Sequence, residues 1–588
     1  MTIEVPVLIV GGGMSGLTTA LQLARFGVRS LVVERHPSTA HLPKAHTINQ
    51  RSMEIFRQLG FGDELLKVAI DPKHIQKAAW RTSFGGAEPF DGKIVFSIDA
   101  FGGGSLTEQY AKASPMLYSS LHQMLLEPFL AHQIAKQPLI DLRFNAEITD
   151  FTDAGSHVDA TIKDTTSGET TAVRAEYVVA ADGGKFFQQR LGYTMEGVTG
   201  LGDQVTIWFK ADLSQWMDDD TLLNWFVTPD SFGMAAGVLI PVGAGKNSDE
   251  WVLHFGYPDG QGASVTDEEA ISRMLDLFKL PDLDFETLMV SRWSCEQVIA
   301  SRFRTGRVIA TGDAIHRHVP TLGIGWNSAI GDSHNLAWKL AYVVKGYAPE
   351  TLLDTFEIER RPVLERNGEM TLQTYYLHLT IVPSIGMVPG APGGFNKKVL
   401  TRYFENTTLG AGRRARAHTL ITRHQALEHQ ALDLEIGYRY SGPALLSDPN
   451  DVYNPDPMLN AYVATTTPGA RLAHVWLTSP TGQQVSTLDL VGASFTLIVP
   501  NADSPWVNAA QEVATQFGLP IEVAVIGPGG YLDPSGEWAQ VSGIGSKGAL
   551  LVRPDQHVAW RTAVDVTSPV EQLRAVLSTV SMAANTPA

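Results

Sequence analysis

The sequence Val7-Leu8-Ile9-Val10-Gly11-Gly12-Gly13-Met14-Ser15-Gly16 joins an apolar strand to a G-x-G-x-x-G turn. Apolar residues at helical spacing follow in residues 17–26, and a second apolar segment, residues 30–33, stops at Glu34. A strand, a glycine turn, a helix and a second strand that ends in an acid predict a dinucleotide-binding βαβ unit.

Each glycine of the turn has its own expected task. Gly11 permits the tight turn, Gly13 lets a pyrophosphate approach the backbone, and Gly16 lets the helix pack on the strand. The helix N-terminus then offers free N–H groups and a positive dipole end to the phosphates. Glu34 would accept hydrogen bonds from ribose hydroxyls, which favours FAD or NAD over NADP at this site. A glycine turn in an unrelated βαβ unit is the alternative.

A second glycine-rich turn follows another short apolar strand. Residues 306–313 end in Gly312-Asp313, where Asp313 can accept hydrogen bonds from a polyol. The chain continues as Pro320-Thr321-Leu322-Gly323-Ile324-Gly325-Trp326-Asn327 and enters a helix. The start of that helix can stabilise an anionic ring edge or a pyrophosphate.

Composition limits the class of protein. The 588 residues include 62 acidic and 45 basic side chains, a formal net charge of −17, which argues against a nucleic-acid partner. The single cysteine, Cys295, excludes an intrachain disulfide and favours a reducing compartment. No segment reaches the roughly 18 apolar residues of a membrane-spanning helix. His316 and His318 lack further ligands nearby, so we expect loop hydrogen bonds there, no metal, and a cytoplasmic protein without a membrane partner.

Together these motifs resemble those of the FAD-dependent aromatic hydroxylases, the class A flavoprotein monooxygenases. The segment Gly312-Asp313-Ala314-Ile315-His316-Arg317-His318-Val319-Pro320-Thr321 is most similar to the phenol and 2,4-dichlorophenol hydroxylase branch. The other segments that resemble the family are Pro43-Lys44-Ala45-His46, His122-Gln123-Met124-Leu125-Leu126-Glu127, residues 178–184 with Asp182-Gly183, residues 356–362, and, near the C-terminus, residues 468–471, 486–490 and 548–555.

The resemblance implies an α/β and α+β fold. It has a Rossmann-like FAD domain of the aromatic hydroxylase type, an inserted β-sheet substrate domain and a C-terminal thioredoxin-like domain. The expected bounds are 1–85 with 105–190 and 295–385 for the FAD domain, 86–104 with 191–294 for the substrate domain, 386–459 for a helical and loop linker, and 460–588 for the thioredoxin-like domain, which has no cysteine. This last domain should have its own core and serve stability or a subunit contact.

The resemblance also implies a reaction. NADPH or NADH, bound transiently, would reduce FAD; the reduced flavin would take up O₂; and its C4a-hydroperoxide would transfer one oxygen to a phenolic or related small aromatic substrate. Baeyer–Villiger oxidation or epoxidation of a polyketide-like substrate is one alternative, and a flavin-binding protein without turnover is another. Residues 410–415 formally repeat the glycine pattern, but no strand precedes them, so we expect a loop and no separate nicotinamide domain. A homodimer is expected.

The candidate site residues follow from the motifs and the resemblance. The candidate FAD contacts are Gly11, Gly13, Met14, Ser15, Gly16, Glu34, Arg35, Lys44, Gln123, Asp182, Gly312, Asp313, Pro320, Gly323, Gly325, Trp326 and Asn327. The candidate pocket residues are His46, Trp225, Phe232 and Trp293, and the candidate catalytic residues are His46, Pro320 and Trp293.

Three residues depart from the family pattern. His46 stands where phenol hydroxylases hold an aspartate, and its imidazole could take the phenolic proton or act only as a hydrogen-bonding neighbour of the flavin. Trp293 stands where they hold a tyrosine, and its indole can only donate. Trp326 is bulkier than the usual residue. These departures leave the identity of the aromatic substrate open.

Overall fold

The computed structural model describes residues 2–231, 235–447, 454–456 and 458–583. The strands, in chain order, are β1 (Ile3–Val10), β2 (Ser30–Val33), β3 (Thr47–Ile48), β4 (Lys77–Arg81), β5 (Ile94–Asp99), β6 (Ser119–Ser120), β7 (Ile140–Arg143), β8 (Ala146–Asp153), β9 (Val158–Asp164), β10 (Thr170–Ala180), β11 (Met195–Val198), β12 (Asp203–Lys210), β13 (Thr221–Phe226), β14 (Gly237–Pro241), β15 (Glu250–Tyr257), β16 (Glu286–Ser294), β17 (Gln297–Ala300), β18 (Arg304–Thr305), β19 (Val308–Ala310), β20 (His316–Arg317), β21 (Trp476–Thr478), β22 (Gln484–Ser486), β23 (Phe495–Val499), β24 (Ile521–Val525), β25 (Ala549–Val552) and β26 (Val558–Thr562).

The helices, in chain order, are α1 (Met14–Arg25), α2 (Gln50–Gln58), α3 (Gly62–Val68), α4 (Thr107–Ala113), α5 (Gln123–Ala135), α6 (Phe187–Leu191), α7 (Asp267–Phe278), α8 (Gly325–Val344), α9 (Asp354–Leu377), α10 (Ile381–Ser384), α11 (Gly393–Phe404), α12 (Thr408–His429), α13 (Leu432–Ile436), α14 (Pro505–Phe517), α15 (Glu537–Val541) and α16 (Pro569–Val580). The mixed α/β class expected from the sequence is confirmed. None of the helices within the described ranges is both long enough and apolar enough to cross a membrane.

The first sheet, called here the parallel sheet, has the order β18-β19-β10-β1-β2-β7, and β8 and β9 extend it from β10. Strand β1 pairs in parallel with β10 and β2, and β10 pairs in parallel with β19. Because parallel strands share one direction, their carboxyl ends meet at one edge, which is where α/β sheets bind ligands. The turns that follow β1, β2, β10 and β19 carry Gly11, Glu34, Asp182 and Asp313 to that edge.

The second sheet, called here the seven-stranded sheet, has the order β16-β12-β15-β14-β13-β4-β5. Its alternate residues form two faces. One face, with Phe209, Trp251 and Phe255, is buried against Met274 and Phe278 of α7. The opposite face is therefore the one available to the rest of the molecule, and it carries the polar residues described below.

The glycine repeat at residues 410–415 is helical, so the expected loop was wrong. The Thr407 side chain accepts a hydrogen bond from the Gly410 backbone N–H and caps α12. A threonine cap of this kind begins a helix even where a glycine lies in its first turn, as Gly410 does here. Helix α11 precedes this segment in place of a strand, so the local structure is not that of a dinucleotide site.

The last sheet, called here the C-terminal sheet, has the order β24-β23-β25-β26. Strands β23 and β24 are parallel, while β25 and β26 run antiparallel. Phe495 on β23 lies with its ring centroid 5.9 Å from Trp338 and 5.8 Å from Tyr342, both on α8. The C-terminal sheet therefore shares a hydrophobic core with the helices of the parallel sheet.

Candidate active site

The first glycine turn contains two positions that packing restricts to glycine. Gly11 has φ +114°, and a Cβ there would lie 2.2 Å from the Ala181 carbonyl oxygen. A Cβ on Gly16 would lie 1.9 Å from the Gly11 oxygen. Gly13 differs, because its φ is −86° and the nearest atom to a Cβ would be Glu127 Oε1 at 3.6 Å. Protein packing does not require a glycine at 13, so the space beside it suits the close approach of a ligand.

Glu34 lies directly beside this turn. Its Oε2 accepts a hydrogen bond from Gly12 N at 2.7 Å, and its Oε1 accepts one from His36 N at 2.9 Å. Neighbouring Arg35 and Lys44 are exposed. The carboxylate is thus held at the end of β2, where a nucleotide ribose on the glycine turn would meet it.

The second glycine turn contacts the first one. Gly312 has φ +63°, and a Cβ there would lie 2.8 Å from Ser15 Cβ. Ser15 Oγ donates to Thr311 Oγ1 at 3.1 Å. Asp313 is exposed next to this contact. The two motifs therefore form one continuous surface.

The loop of residues 323–327 is fastened to the segment after β2. Asn327 Oδ1 accepts hydrogen bonds from Asn49 N at 3.2 Å and Ser52 Oγ at 2.6 Å. Asn327 Nδ2 donates to the Thr47 carbonyl oxygen at 3.0 Å, and Trp326 Nε1 donates to the same oxygen at 2.5 Å. These hydrogen bonds use the polar groups of both side chains within the protein, so Trp326 and Asn327 fix the conformation of the loop.

The two glycines of this loop, Gly323 and Gly325, have different surroundings. Gly323 has φ +60°, and a Cβ there would lie 2.1 Å from Thr47 Oγ1. A Cβ on Gly325 would meet no atom within 4 Å. Gly13 immediately precedes α1 and Gly325 begins α8, and beside each glycine the protein leaves space that packing does not explain. Pro320 is exposed just before the loop.

Gln123 and Asp182 complete the rim with hydrogen bonds inside the protein. Gln123 Nε2 donates to Glu127 Oε1 at 2.7 Å, and Glu127 Oε2 accepts from Ala40 N at 2.9 Å. Burial raises the pKa of Glu127 above its ordinary value, against the hydrogen bonds from Gln123 and Ala40. Asp182 accepts from Gly184 N at 3.1 Å and from the backbone N–H at 186 at 2.6 Å, which orders the turn after β10.

His46 belongs to a cluster of three histidines. The His46 and His122 rings stack at 5.3 Å, and His46 Nδ1 lies 3.2 Å from Ser120 Oγ. Burial, followed by the proximity of His122 and His254, lowers the pKa of His46 well below its ordinary value. His46 is therefore a neutral imidazole at pH 7, able to accept a proton but not to supply positive charge.

His254 brings the seven-stranded sheet to this cluster. Its Nδ1 lies 2.8 Å from Thr206 Oγ1, and Trp293 Nε1 donates to the same oxygen at 3.1 Å. Trp293 also packs against the small hydrophobic cluster of Cys295, Val319 and Tyr375. At the end of β14 in the same sheet, the Pro241 carbonyl oxygen accepts a hydrogen bond at 3.1 Å from Nε2 of His122, the histidine that stacks on His46.

Trp225 lies on the same sheet face as His254. Val238 on β14 pairs directly with His254 on one side and with Trp225 on the other, so the three side chains share one face. Trp225 is half-buried, with its ring 4.5 Å from His378. Phe232, the other candidate pocket residue, lies outside the described residues.

Sequence reasoning missed His122, His254 and Thr206. His122 is the first residue of the segment 122–127 that resembles the family, which was a usable signal. Thr206 and His254 lie in otherwise apolar stretches, residues 205–209 and 251–255, and only the pairing of their strands shows that the two side chains meet.

His316 and His318 make the loop hydrogen bonds expected of them. His316 Nε2 lies 2.9 Å from Asp332 Oδ2, and Asp332 Oδ1 accepts from Arg360 Nε at 2.7 Å. Burial alone would raise the pKa of Asp332, but Arg360 and His316 hold it below its ordinary value. His318 Nδ1 lies 3.0 Å from Gln297 Oε1. The turn after Asp313 is therefore anchored to α8 and α9 by a buried ion pair.

Comparison with known proteins places this geometry in a family. Residues 4–371 match the family described as FAD binding domain, and residues 465–584 match the family described as aromatic-ring hydroxylase, C-terminal. The chain is 33% identical to 2,4-dichlorophenol 6-monooxygenase of Cupriavidus pinatubonensis, over 95% of this chain and 94% of that protein. It is 30% identical to phenol 2-monooxygenase of a Pseudomonas species, over 98% and 93% of the two chains.

A solved structure agrees with these relationships. The flavin-dependent monooxygenase PieE, in complex with FAD and substrate, is 36% identical and superposes with a TM-score of 0.91 over 99% of both chains. These relationships favour aromatic hydroxylation over Baeyer–Villiger oxidation, epoxidation or a role without turnover. The chain therefore belongs to the FAD-dependent aromatic-ring hydroxylases and is an NAD(P)H-consuming monooxygenase.

Proposed function

We propose that the protein hydroxylates a phenol held between the motif-bearing edge of the parallel sheet and the opposing face of the seven-stranded sheet. The observation that carries this proposal is that His122, which stacks on His46, donates from Nε2 to the Pro241 carbonyl oxygen of β14 at 3.1 Å and so joins His46 to the seven-stranded sheet. Relatives named for 2,4-dichlorophenol and for phenol support a phenolic substrate.

FAD would lie along the edge where the motifs converge. The pyrophosphate would approach the free space at Gly13, the ribose would meet Glu34, and the polyol chain would meet exposed Asp313. The reactive ring edge would face Pro320 and the open space at Gly325. The remaining proposed contacts are Gly11, Met14, Ser15, Gly16, Arg35, Lys44, Gln123, Asp182, Gly312, Gly323, Trp326 and Asn327. Bound FAD supplies the redox chemistry, taking electrons from NAD(P)H and delivering one oxygen atom of O₂ to the ring.

His46 would accept the phenolic proton, because it is neutral and partly exposed beside His122, which bonds to β14 of the seven-stranded sheet. Trp293 would act indirectly, since its only donor is already bonded to Thr206. We therefore assign Trp293 a positioning role and Trp225 a place in the pocket wall.

The C-terminal domain, residues 460–588, would be thioredoxin-like. The parallel β23–β24 pair with antiparallel β25 and β26 supports this proposal. Its role would be structural, since the single cysteine, Cys295, belongs to another part of the chain. The FAD domain and linker would keep the expected bounds, but Lys77–Arg81 would join the substrate domain, because β4 pairs with β5 and β13. We also propose a homodimer, which light scattering would detect.

The test of this function is substrate-dependent NAD(P)H oxidation by the FAD-loaded protein. A panel of phenols would be compared with their methyl ethers, which lack the ionisable proton. We expect stimulated oxidation with at least one phenol and a product that gains one oxygen as a ring hydroxyl. A colourless protein that takes up no FAD, or an FAD-loaded protein that no phenol stimulates, would contradict the proposal.

A further inference from the structure

Thr206 lies at the centre of a short hydrogen-bond chain on the pocket side of the seven-stranded sheet. Trp293 Nε1 lies 3.1 Å from Thr206 Oγ1, and that oxygen lies 2.8 Å from His254 Nδ1. Thr206 and His254 are direct partners on β12 and β15, so their side chains point to the same face.

The donors and acceptors of this chain determine where the protons lie. An indole N–H can only donate, so Thr206 Oγ1 accepts from Trp293. The hydroxyl proton of Thr206 then goes to His254 Nδ1. Thr206 is only 2% exposed, and a hydroxyl proton directed elsewhere would be buried without an acceptor.

His254 is consequently a donor at its other nitrogen. Burial, followed by the proximity of His122, lowers the pKa of His254 to about 4, so the ring is neutral at pH 7. A neutral imidazole that accepts at Nδ1 carries its proton on Nε2. His254 is half-buried on the sheet face that it shares with Thr206, and Nε2 is the ring nitrogen farther from its Cβ.

We propose that His254 is a specificity-determining residue that donates a hydrogen bond from Nε2 to a carbonyl oxygen of the substrate. The substrate class is then a phenol that also carries a carbonyl group, as in a hydroxyaryl ketone or a hydroxyquinone. This inference rests on the proposed function, which supplies the phenolic hydroxyl at His46.

The hydrogen-bonding groups around His254 favour a carbonyl group on the substrate over a second hydroxyl group. The protons of Trp293 and Thr206 are already bonded within the chain, and Nε2–H needs an acceptor. A substrate carbonyl oxygen accepts this bond and, unlike a hydroxyl group, adds no further proton that would need an acceptor in the protein. Because Trp293 and Thr206 hold the ring from behind, the direction of the donor is set before the substrate arrives.

The test compares two probes that differ in the carbonyl alone: 3′-hydroxyacetophenone and 3-ethylphenol. Each is titrated into the oxidised FAD-loaded protein, and binding is followed through the flavin absorption spectrum. We expect the ketone to bind about five- to tenfold more tightly, as one added neutral hydrogen bond would produce. His254→Phe should abolish this preference, whereas His254→Gln, which places an amide N–H near the position of Nε2, should retain part of it.

A second pair of variants tests the chain behind the ring. Thr206→Val should reduce the preference, and Thr206→Ser, which keeps the hydroxyl, should preserve it. FAD content and the visible spectrum report whether each variant is folded. An unchanged preference in His254→Phe, or equal loss in Thr206→Ser and Thr206→Val, would overturn the assignment. The titration needs no turnover, so a protein that shows the preference but no phenol-dependent NAD(P)H oxidation would contradict the proposed function and still support the role of His254.

Discussion

Arg553, in the turn that joins β25 to β26, donates two hydrogen bonds to Glu359 of α9, from Nη1 to Oε1 at 2.7 Å and from Nη2 to Oε2 at 2.8 Å. Both side chains are 0% exposed. Lys339 Nζ on α8 donates to the same carboxylate at 2.8 Å, and Asp555 accepts from the guanidinium of Arg553. The C-terminal sheet is thus tied to the helices of the parallel sheet by a fully buried group of charges.

Removal of Arg553 should destabilise the protein far more than removal of an exposed ion pair across the same boundary. Arg553→Leu leaves Glu359 and Asp555 short of positive charge in the interior, which typically costs about 3–5 kcal/mol. The control is Arg57→Leu, because Arg57 pairs with Asp489 across the same boundary while both side chains are 27% exposed. That variant should lose less than about 1 kcal/mol. The midpoint of urea unfolding, followed by flavin release, checks both, and equal losses would show that burial of the charges is unimportant.

The same charges predict a loss of stability in acid. Burial would raise the pKa of Glu359, but Arg553 and Lys339 overcome this effect and lower it from 4.5 to about 2. A carboxylate whose pKa is lower in the folded than in the unfolded protein contributes its full stabilisation at pH values above the unfolded-state pKa. That contribution is lost as the pH falls through the folded-state pKa. Urea midpoints should therefore fall between about pH 4.5 and pH 2. In Arg553→Leu the fall should begin at higher pH, and coincident profiles would contradict this assignment.

Gly13 and Gly11 should respond differently to alanine. Gly13→Ala has room in the protein, so the variant should fold but retain FAD poorly, because the added methyl group stands where the pyrophosphate would approach. Gly11→Ala should reduce folding yield, since its Cβ would meet the Ala181 oxygen at a positive φ. Gly412→Ala is the control, because a Cβ there meets nothing within 4 Å. Circular dichroism and the flavin-to-protein ratio separate these outcomes; full FAD retention in Gly13→Ala would count against the proposed pyrophosphate position.

His46→Ala should reduce turnover by about 10²-fold with little change in FAD content, as expected for loss of a proton acceptor. Since the pKa of His46 lies well below 6.5, the wild type should not lose this function between pH 8 and 6. The deficit of the variant should shrink at high pH, where the phenol ionises unaided. His41→Ala, which alters an exposed histidine nearby, is the control. Normal turnover of His46→Ala across this pH range would leave His46 as a structural neighbour of the flavin.

Local sequence pattern by itself determined the parallel sheet and its ligand-binding edge. The strand, turn and helix around Gly11 and the acid at Glu34 follow one another within a single βαβ unit, and period and turn chemistry act over a few residues. The edge positions of Asp182 and Asp313 were predictable for the same reason, because parallel strands place their carboxyl ends together. The glycines at 410–412 show the limit of such patterns, since the Thr407 cap and not the glycine spacing decided that segment.

Tertiary structure alone decided what faces the motif-bearing edge. No local rule states which residue of an antiparallel strand meets a side chain from another part of the chain, so the hydrogen bond from His122, which stacks on His46, to Pro241 of β14 depended on how the two sheets dock. The pairing of Arg553 with Glu359, 194 residues apart, arose in the same way. Such contacts form because burial of whole sheet and helix faces is favourable, and polar groups carried into the interior must then find partners wherever the docking places them.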